Sequence, residues 1–185
     1  MAGNGKGKGS SWERDIARFL TKWMSGQDKE LYCWRSPGSG SVATINLGNK
    51  AISGDLIPLK NESTKFFDIF SVECKNGYPG ADPFKCIMKT KGDDIKDFWT
   101  QANRDAAKAE KLPMLIFKKK GVRGNPFVGV TEEAIIKYFP KGKTLSYLVF
   151  KFSDIALPRL YMLDLNDFFS TISYEDFNVI DKEIK

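Results

Sequence analysis

The alternation of apolar and polar positions divides the chain into a small set of elements. Trp12, Ile16, Phe19, Leu20, Trp23 and Met24 recur at i, i+4, i+7, i+8, i+11 and i+12. That spacing predicts an amphipathic helix with a broad buried face. Ser10 and Glu13 fit a capping box at its start, and Gly26 stops it. Leu31 to Arg35 reads as a short strand that enters a small-residue loop, Ser36 to Ser41. Strand-like residues return in Val42 to Ile45 and in Gly54 to Leu59, and Lys60 to Lys65 reads as a polar turn. Phe66 to Lys75 reads as the strongest strand, closed by the turn dipeptide Asn76-Gly77. Residues 78 to 92 form an irregular stretch. A long helix follows from Asp93 or Asp94 to about Lys111, with Ile95, Trp99, Ala102 and Ala106 on one face. Further strands are expected at Pro113 to Phe117, Phe127 to Val130, Leu145 to Phe152 and Tyr161 to Leu163. Short helices are expected after Thr131 and Asn166. The order predicts a mixed α/β domain with helices packed on a central sheet. Residues 1–9 read as a flexible basic arm, 10–173 as one domain, and 174–185 as a loosely held tail.

Composition narrows the chemistry. Among 185 residues there is no histidine. A Ser-His-Asp or Cys-His pair, histidine acid–base chemistry and imidazole-ligated zinc are therefore excluded. Three cysteines without a Cys-x-x-Cys pair read as reduced thiols of a cytoplasmic protein. The start carries no apolar segment of the secretory kind, and no run of 18 apolar residues suggests a membrane span. The net charge of +6 and pI near 9.1 favour a polyanionic partner. Lys118, Lys119, Lys120 and Arg123 form the densest basic cluster, and with Lys6 and Lys8 they could track DNA phosphates. Two nucleotide-loop motifs fail. Lys137 stands where the phosphate-binding loop ending in Gly142-Lys143-Thr144 needs its first glycine. Gly38-x-Gly40-x-x-Ala43 runs into strand formers rather than a helix.

The informative constellation is Asp55 followed by Glu73-Cys74-Lys75. Side chains alternate across a strand, so Glu73 and Lys75 share one face and Cys74 packs on the other. A carboxylate beside an ammonium at the end of a strand suits a metal-plus-lysine site, with the Cys74 backbone carbonyl as a further ligand. Asp55, on a neighbouring strand-like segment, can join Glu73 when the strands pair. Asp68 cannot, because alternation turns it to the opposite face. The competing reading is a cross-face ion pair on a solvated strand.

Gly54-Asp55 with Glu73-Cys74-Lys75 resembles the PD-(D/E)xK nuclease superfamily, with glycine where the family name has proline. Lys8-Gly9, Glu13-Arg14, Arg35-Ser36-Pro37-Gly38-Ser39, Asp55 and Glu73-Cys74-Lys75 stand in the order found in archaeal-type Holliday junction resolvases. The likeness covers about residues 6–118 and suggests a phage or prophage relative. It implies a restriction-endonuclease-like central mixed β-sheet flanked by helices. It also implies Mg²⁺, with Mn²⁺ as a substitute, held by Asp55, Glu73 and Glu13. Lys75 would act in catalysis, Ser39 would contact phosphate, and Arg14, Arg35 and Ser36 would meet DNA. The implied substrate is a four-way DNA junction and the implied assembly a homodimer. Other superfamily nucleases cut linear or flapped DNA, and a DNA-binding phage accessory protein with a decayed site is the non-enzymatic alternative. Gln101 reads as an ordinary solvated glutamine, although related nucleases place a polar residue there.

Overall fold

The computed structural model describes residues 5–37, 53–88, 94–119, 121, 124–139, 144–154, 156–175 and 177. The expected strand at Val42 to Ile45 and the residues Ser39, Lys120 and Arg123 lie outside them. So do residues 1–4 of the arm.

A five-stranded mixed sheet forms the centre. Its strands are β3 (Phe70–Tyr78), β4 (Leu112–Lys119), β5 (Phe127–Val130), β6 (Tyr147–Phe150) and β7 (Leu160–Asp164), in the order β3-β4-β5-β7-β6. β3 and β4 are parallel, joined through α3 (Pro83–Met88) and α4 (Asp94–Lys108). The remaining pairs are antiparallel. A small antiparallel pair, β1 (Cys33–Arg35) with β2 (Leu56–Pro58), joins the sheet through a parallel bridge from Gly54 to Val72.

Alternation along the strands feeds two apolar layers. Met114 and Ile116 of β4 face one side with Val72, Cys74, Val128, Val130 and Leu163. Helices α1 (Gly5–Ser25), α2 (Asn61–Ile69), α5 (Glu132–Tyr138) and α6 (Leu165–Thr171) cover that side. Leu115 and Phe117 face the other side with Leu160 and Met162, beneath Ile95, Phe98, Trp99 and Ala102 of α4. A strand covered on both faces reads as an unbroken apolar run, as Pro113 to Phe117 does.

Several expectations are corrected. The turn at 60–65 and the start of the strand at Phe66 are replaced by α2. Ser63, Phe66 and Phe67 recur at i, i+3 and i+4, a buried helical stripe that leads directly into the strand at Phe70. Ser63 Oγ donates to the Tyr32 carbonyl at 2.6 Å and ties this helix to the β1 segment. Asp68 is therefore an exposed helical residue, and strand alternation does not apply to it. The first helix starts at Gly5, so the arm boundary at Gly9 and the cap at Ser10 do not hold. The stretch after β3 contains the short helix α3. Asp164 rather than Asn166 caps α6, accepting from the N–H groups of Asn166 and Asp167 at 2.8 and 3.1 Å. The tail does not begin loose: Tyr174 and Phe177 are buried against Trp23, Phe66, Phe70 and Tyr138. Their aromatic area binds them to the core more strongly than the neighbouring acids favour solvent.

Candidate active site

The site lies where β3 meets the Gly54–Asp55 segment. Gly54 has φ +80, and a Cβ there would collide with the backbone oxygen of Val72 and lie 2.9 Å from its nitrogen. Only glycine permits this approach. The approach lets the Asp55 N–H donate to the Val72 carbonyl at 2.7 Å, while the Asp55 carbonyl accepts from Ser36 N–H at 2.8 Å. Held at both backbone ends, Asp55 turns its carboxylate onto β3. There Oδ2 accepts from the Cys74 N–H at 2.8 Å. The N–H and C=O of a strand residue point to the same side, so the Cys74 carbonyl also faces Asp55.

Alternation places the next residues as the sequence predicts. The Cys74 side chain enters the apolar layer under α1. Glu73 and Lys75 share the α4 side, where the lysine donates to Glu73 Oε1. Their side chains are only 6% and 16% exposed, which excludes a solvated surface pair. Gln101 of α4 donates through Nε2 to the same Oε1 at 2.7 Å. The expectation of an ordinary solvated glutamine is thus corrected. The i, i+4 spacing of Gln101 and Asp105, on the helix face that also carries Ala102, was the signal that could have found it. Glu13, buried in the interior of α1, pairs with Arg35 of β1 and is not a capping residue. Asp105 is a further acid that sequence reasoning missed, felt by Glu73 across the α4 face.

These acids oppose one another's ionisation. Burial pushes the Asp55 carboxyl up to about 7, with added repulsion from Glu73 and Glu13 against the Cys74 N–H that favours the charge. Burial also raises Glu73, partly offset by Lys75. Burial alone would lower Lys75, but the Glu73 carboxylate beside it raises it above the ordinary lysine value, so it stays an ammonium. Buried carboxylates in excess of their donors suit a hard cation with oxygen ligands. Asp55 and Glu73, with the Cys74 carbonyl beside Asp55, fit such an ion. No group of three acidic or thiol side chains among the described residues is gathered closely enough to cage a metal unaided. Glu13 is turned to Arg35 through Oε2.

The basic candidates are less concentrated. Arg14 is half-buried on α1, and Arg35 is spent on Glu13. Ser36 is buried beside Asp55. Lys118 sits near the end of β4, while Lys119 is neutralised by an ion pair with Asp82. Lys6 and Lys8 fall within the first turns of α1. Among the described residues no helix is long and apolar enough to cross a membrane.

Residues 4–179 match the family model described as "phage putative PDDEXK endonuclease". No curated protein and no solved structure matches the chain. The match spans nearly the whole sequence, and the chain belongs to this phage branch of the PD-(D/E)xK nucleases.

Proposed function

We propose that this phage-type PDDEXK protein is a divalent-metal-dependent DNA endonuclease that resolves branched DNA, foremost the four-way junction, in the host cytoplasm. The observation that carries the reading is the convergence of Asp55, Glu73 and Lys75 as buried groups at the edge of β3, with more negative charge than the local donors satisfy. Mg²⁺, or Mn²⁺ in its place, would supply polarisation of the scissile phosphate and a bound water of lowered pKa. Asp55, Glu73 and the Cys74 carbonyl would hold the ion, with Glu13 as a further ligand after release from Arg35.

The chain's own groups set the rest. The Lys75 ammonium faces the phosphate as a fixed positive charge and stabilises the additional negative charge of the transition state. Gln101 fixes the orientation of Glu73 by holding Oε1. The backbone of Asp55, anchored on Val72 and Ser36, limits the movement of its carboxylate. Freed from Glu13, Arg35 could meet a DNA phosphate beside Ser36, with Arg14, Lys118 and the basic N-terminal residues along the same strand. A homodimer suits the need for two symmetric cuts across a four-way junction.

The test uses three DNAs of equal length, a four-way junction, a linear duplex and a flap, each incubated with protein and Mg²⁺. Paired symmetric nicks on the junction alone support the resolvase. Equal cutting of all three moves the assignment to a general nuclease. Binding without cutting assigns an accessory DNA-binding protein.

A further inference from the structure

Beyond Lys75, β3 continues to Tyr78 through an irregularity. The register with β4 shifts between Asn76 and Tyr78, and Gly77 adopts φ +86. Such a bulge re-aims the side chain that follows it. The Tyr78 ring meets Phe98 of α4 edge to face, with centroids 4.8 Å apart. Phe98 in turn lies under Lys75, whose Nζ is 5.7 Å from the ring centroid. A single aromatic ring therefore separates the site lysine from Tyr78, and Tyr78 is 44% exposed.

The residues that follow extend the same surface. Ala81 N–H donates to the Tyr78 carbonyl at 3.3 Å, and Asp82 N–H to the Gly80 carbonyl at 2.7 Å. Asp82 pairs with Lys119 and accepts from Phe84 N–H at 3.0 Å. These contacts fix the start of α3 beside Tyr78. Cys86 turns inward against the layer that contains Phe98. Phe84 and Met88, one turn apart, are left 72% and 71% exposed. Three large apolar side chains held in water next to a polar site are costly unless something covers them.

The chemistry on either side selects the occupant. Inward lies an ammonium suited to a phosphate, and Lys118 stands at the end of the adjoining strand. Outward lie a tyrosine ring and two apolar side chains. An unpaired nucleotide presents that combination, an anionic phosphate joined to a flat apolar base. A continuous duplex does not, because its base faces are hidden in the stack. We infer that Tyr78 is a stacking platform for a nucleobase displaced from its duplex beside the scissile phosphate, with the exposed Phe84 and Met88 of the following helix as further apolar surface. The platform makes DNA with unstacked bases the preferred substrate. This inference rests on the nuclease reading above.

The test measures binding by the full-length chain carrying Glu73→Gln, in Ca²⁺, so that cutting does not interfere. One DNA carries an unpaired 2-aminopurine at a branch point, and the other is a continuous duplex of equal length. Stacking quenches 2-aminopurine fluorescence. Tyr78→Leu should weaken binding of the branched DNA about tenfold and abolish the quench, with the duplex affinity altered less than about twofold. Tyr78→Phe should preserve both signals, and an unchanged thermal midpoint shows that the fold is intact. Equal loss on the two DNAs, or no quench by the parent protein, overturns the inference. Dissociation of a dimer by Tyr78→Leu with DNA binding unchanged also overturns it and assigns the patch to a second copy. Failure of the nuclease reading looks different: the wild-type chain then cuts no DNA in Mg²⁺ while the quench persists.

Discussion

The two edges of the sheet have been solved by opposite chemistry. The β3 edge gathers buried ionisable groups, each held by a backbone amide, a lysine, an arginine or a glutamine. The β6 edge carries no charge in its four residues, and Tyr147, Leu148 and Val149 stand about half exposed on both of its faces. A strand edge offers unpaired N–H and C=O groups. At β3 those groups are used: Val72 and Cys74 orient Asp55. At β6 they stay unassigned among the described residues. The contrast teaches that position on an edge does not make a site. A second segment has to come close enough to exploit it, and here that segment is Gly54-Asp55.

The contrast can be broken most severely in the middle of β3. Glu73→Ala and Lys75→Ala should each lower cutting at least about 10³-fold in single-turnover assays, with DNA affinity little changed. Normal cutting by either variant would remove the edge from the catalytic account. Gly54→Ala should destabilise the fold by about 2–4 kcal/mol in urea titration, because the added methyl meets Val72 backbone in a left-handed conformation. A cost below about 1 kcal/mol would show that the approach of Asp55 to β3 is looser than described.

Gln101→Leu comes next, at about a tenfold loss of cutting. Removing a donor to a carboxylate raises its pKa, so the acid limb of the pH–rate profile should move to higher pH. A lower rate with an unmoved limb would reduce Gln101 to a packing residue. The pH dependence of stability gives a smaller signal. Between the unfolded Asp55 value, 3.8, and its folded value, about 7, the folded chain holds a proton that the unfolded chain releases. The melting temperature of metal-free protein should fall as pH rises through that window, and the raised Glu73 acts in the same direction. Lys75 titrates too high to contribute there. Added Ca²⁺ should flatten the fall, and a flat metal-free profile would contradict the burial of these acids. The smallest effect belongs to the other edge. Leu148→Lys should change stability by no more than about 0.5 kcal/mol while reducing concentration-dependent light scattering. A large loss would mean that β6 is a buried strand.

The site was more legible than the path to it. Glu73-Cys74-Lys75 could be read because strand alternation sorts side chains by parity alone, and the structure repeats that sorting. The meeting of Asp55 with the Glu73 strand was also readable from two strand-like segments able to pair, whereas the close backbone approach at Gly54 was not read. The boundary between α2 and β3 was not. Phe66 to Val72 is mostly aromatic and β-branched, interrupted only by Asp68 and Ser71, and so short a mixed run fits a helix end or a strand equally well. The burial of Tyr174 and Phe177 escaped for another reason: flanking acids dominate a local average, whereas the aromatic contacts span more than 100 residues. Gln101 was seen but undervalued, because its spacing from Asp105 beside the buried Ala102 face was not weighed.

The long-range seam at Trp23 bears on how the enzyme comes into being. Its indole N–H donates to the Ile172 carbonyl, and its ring packs on Phe169, Tyr174 and Phe177. A ribosome makes α1, with Glu13, well before these partners. The two halves of this seam are 149 residues apart at Trp23 and Ile172, a contact order that favours slow assembly. Helix α1, which carries Glu13, therefore owes part of its packing to residues from Phe169 onward.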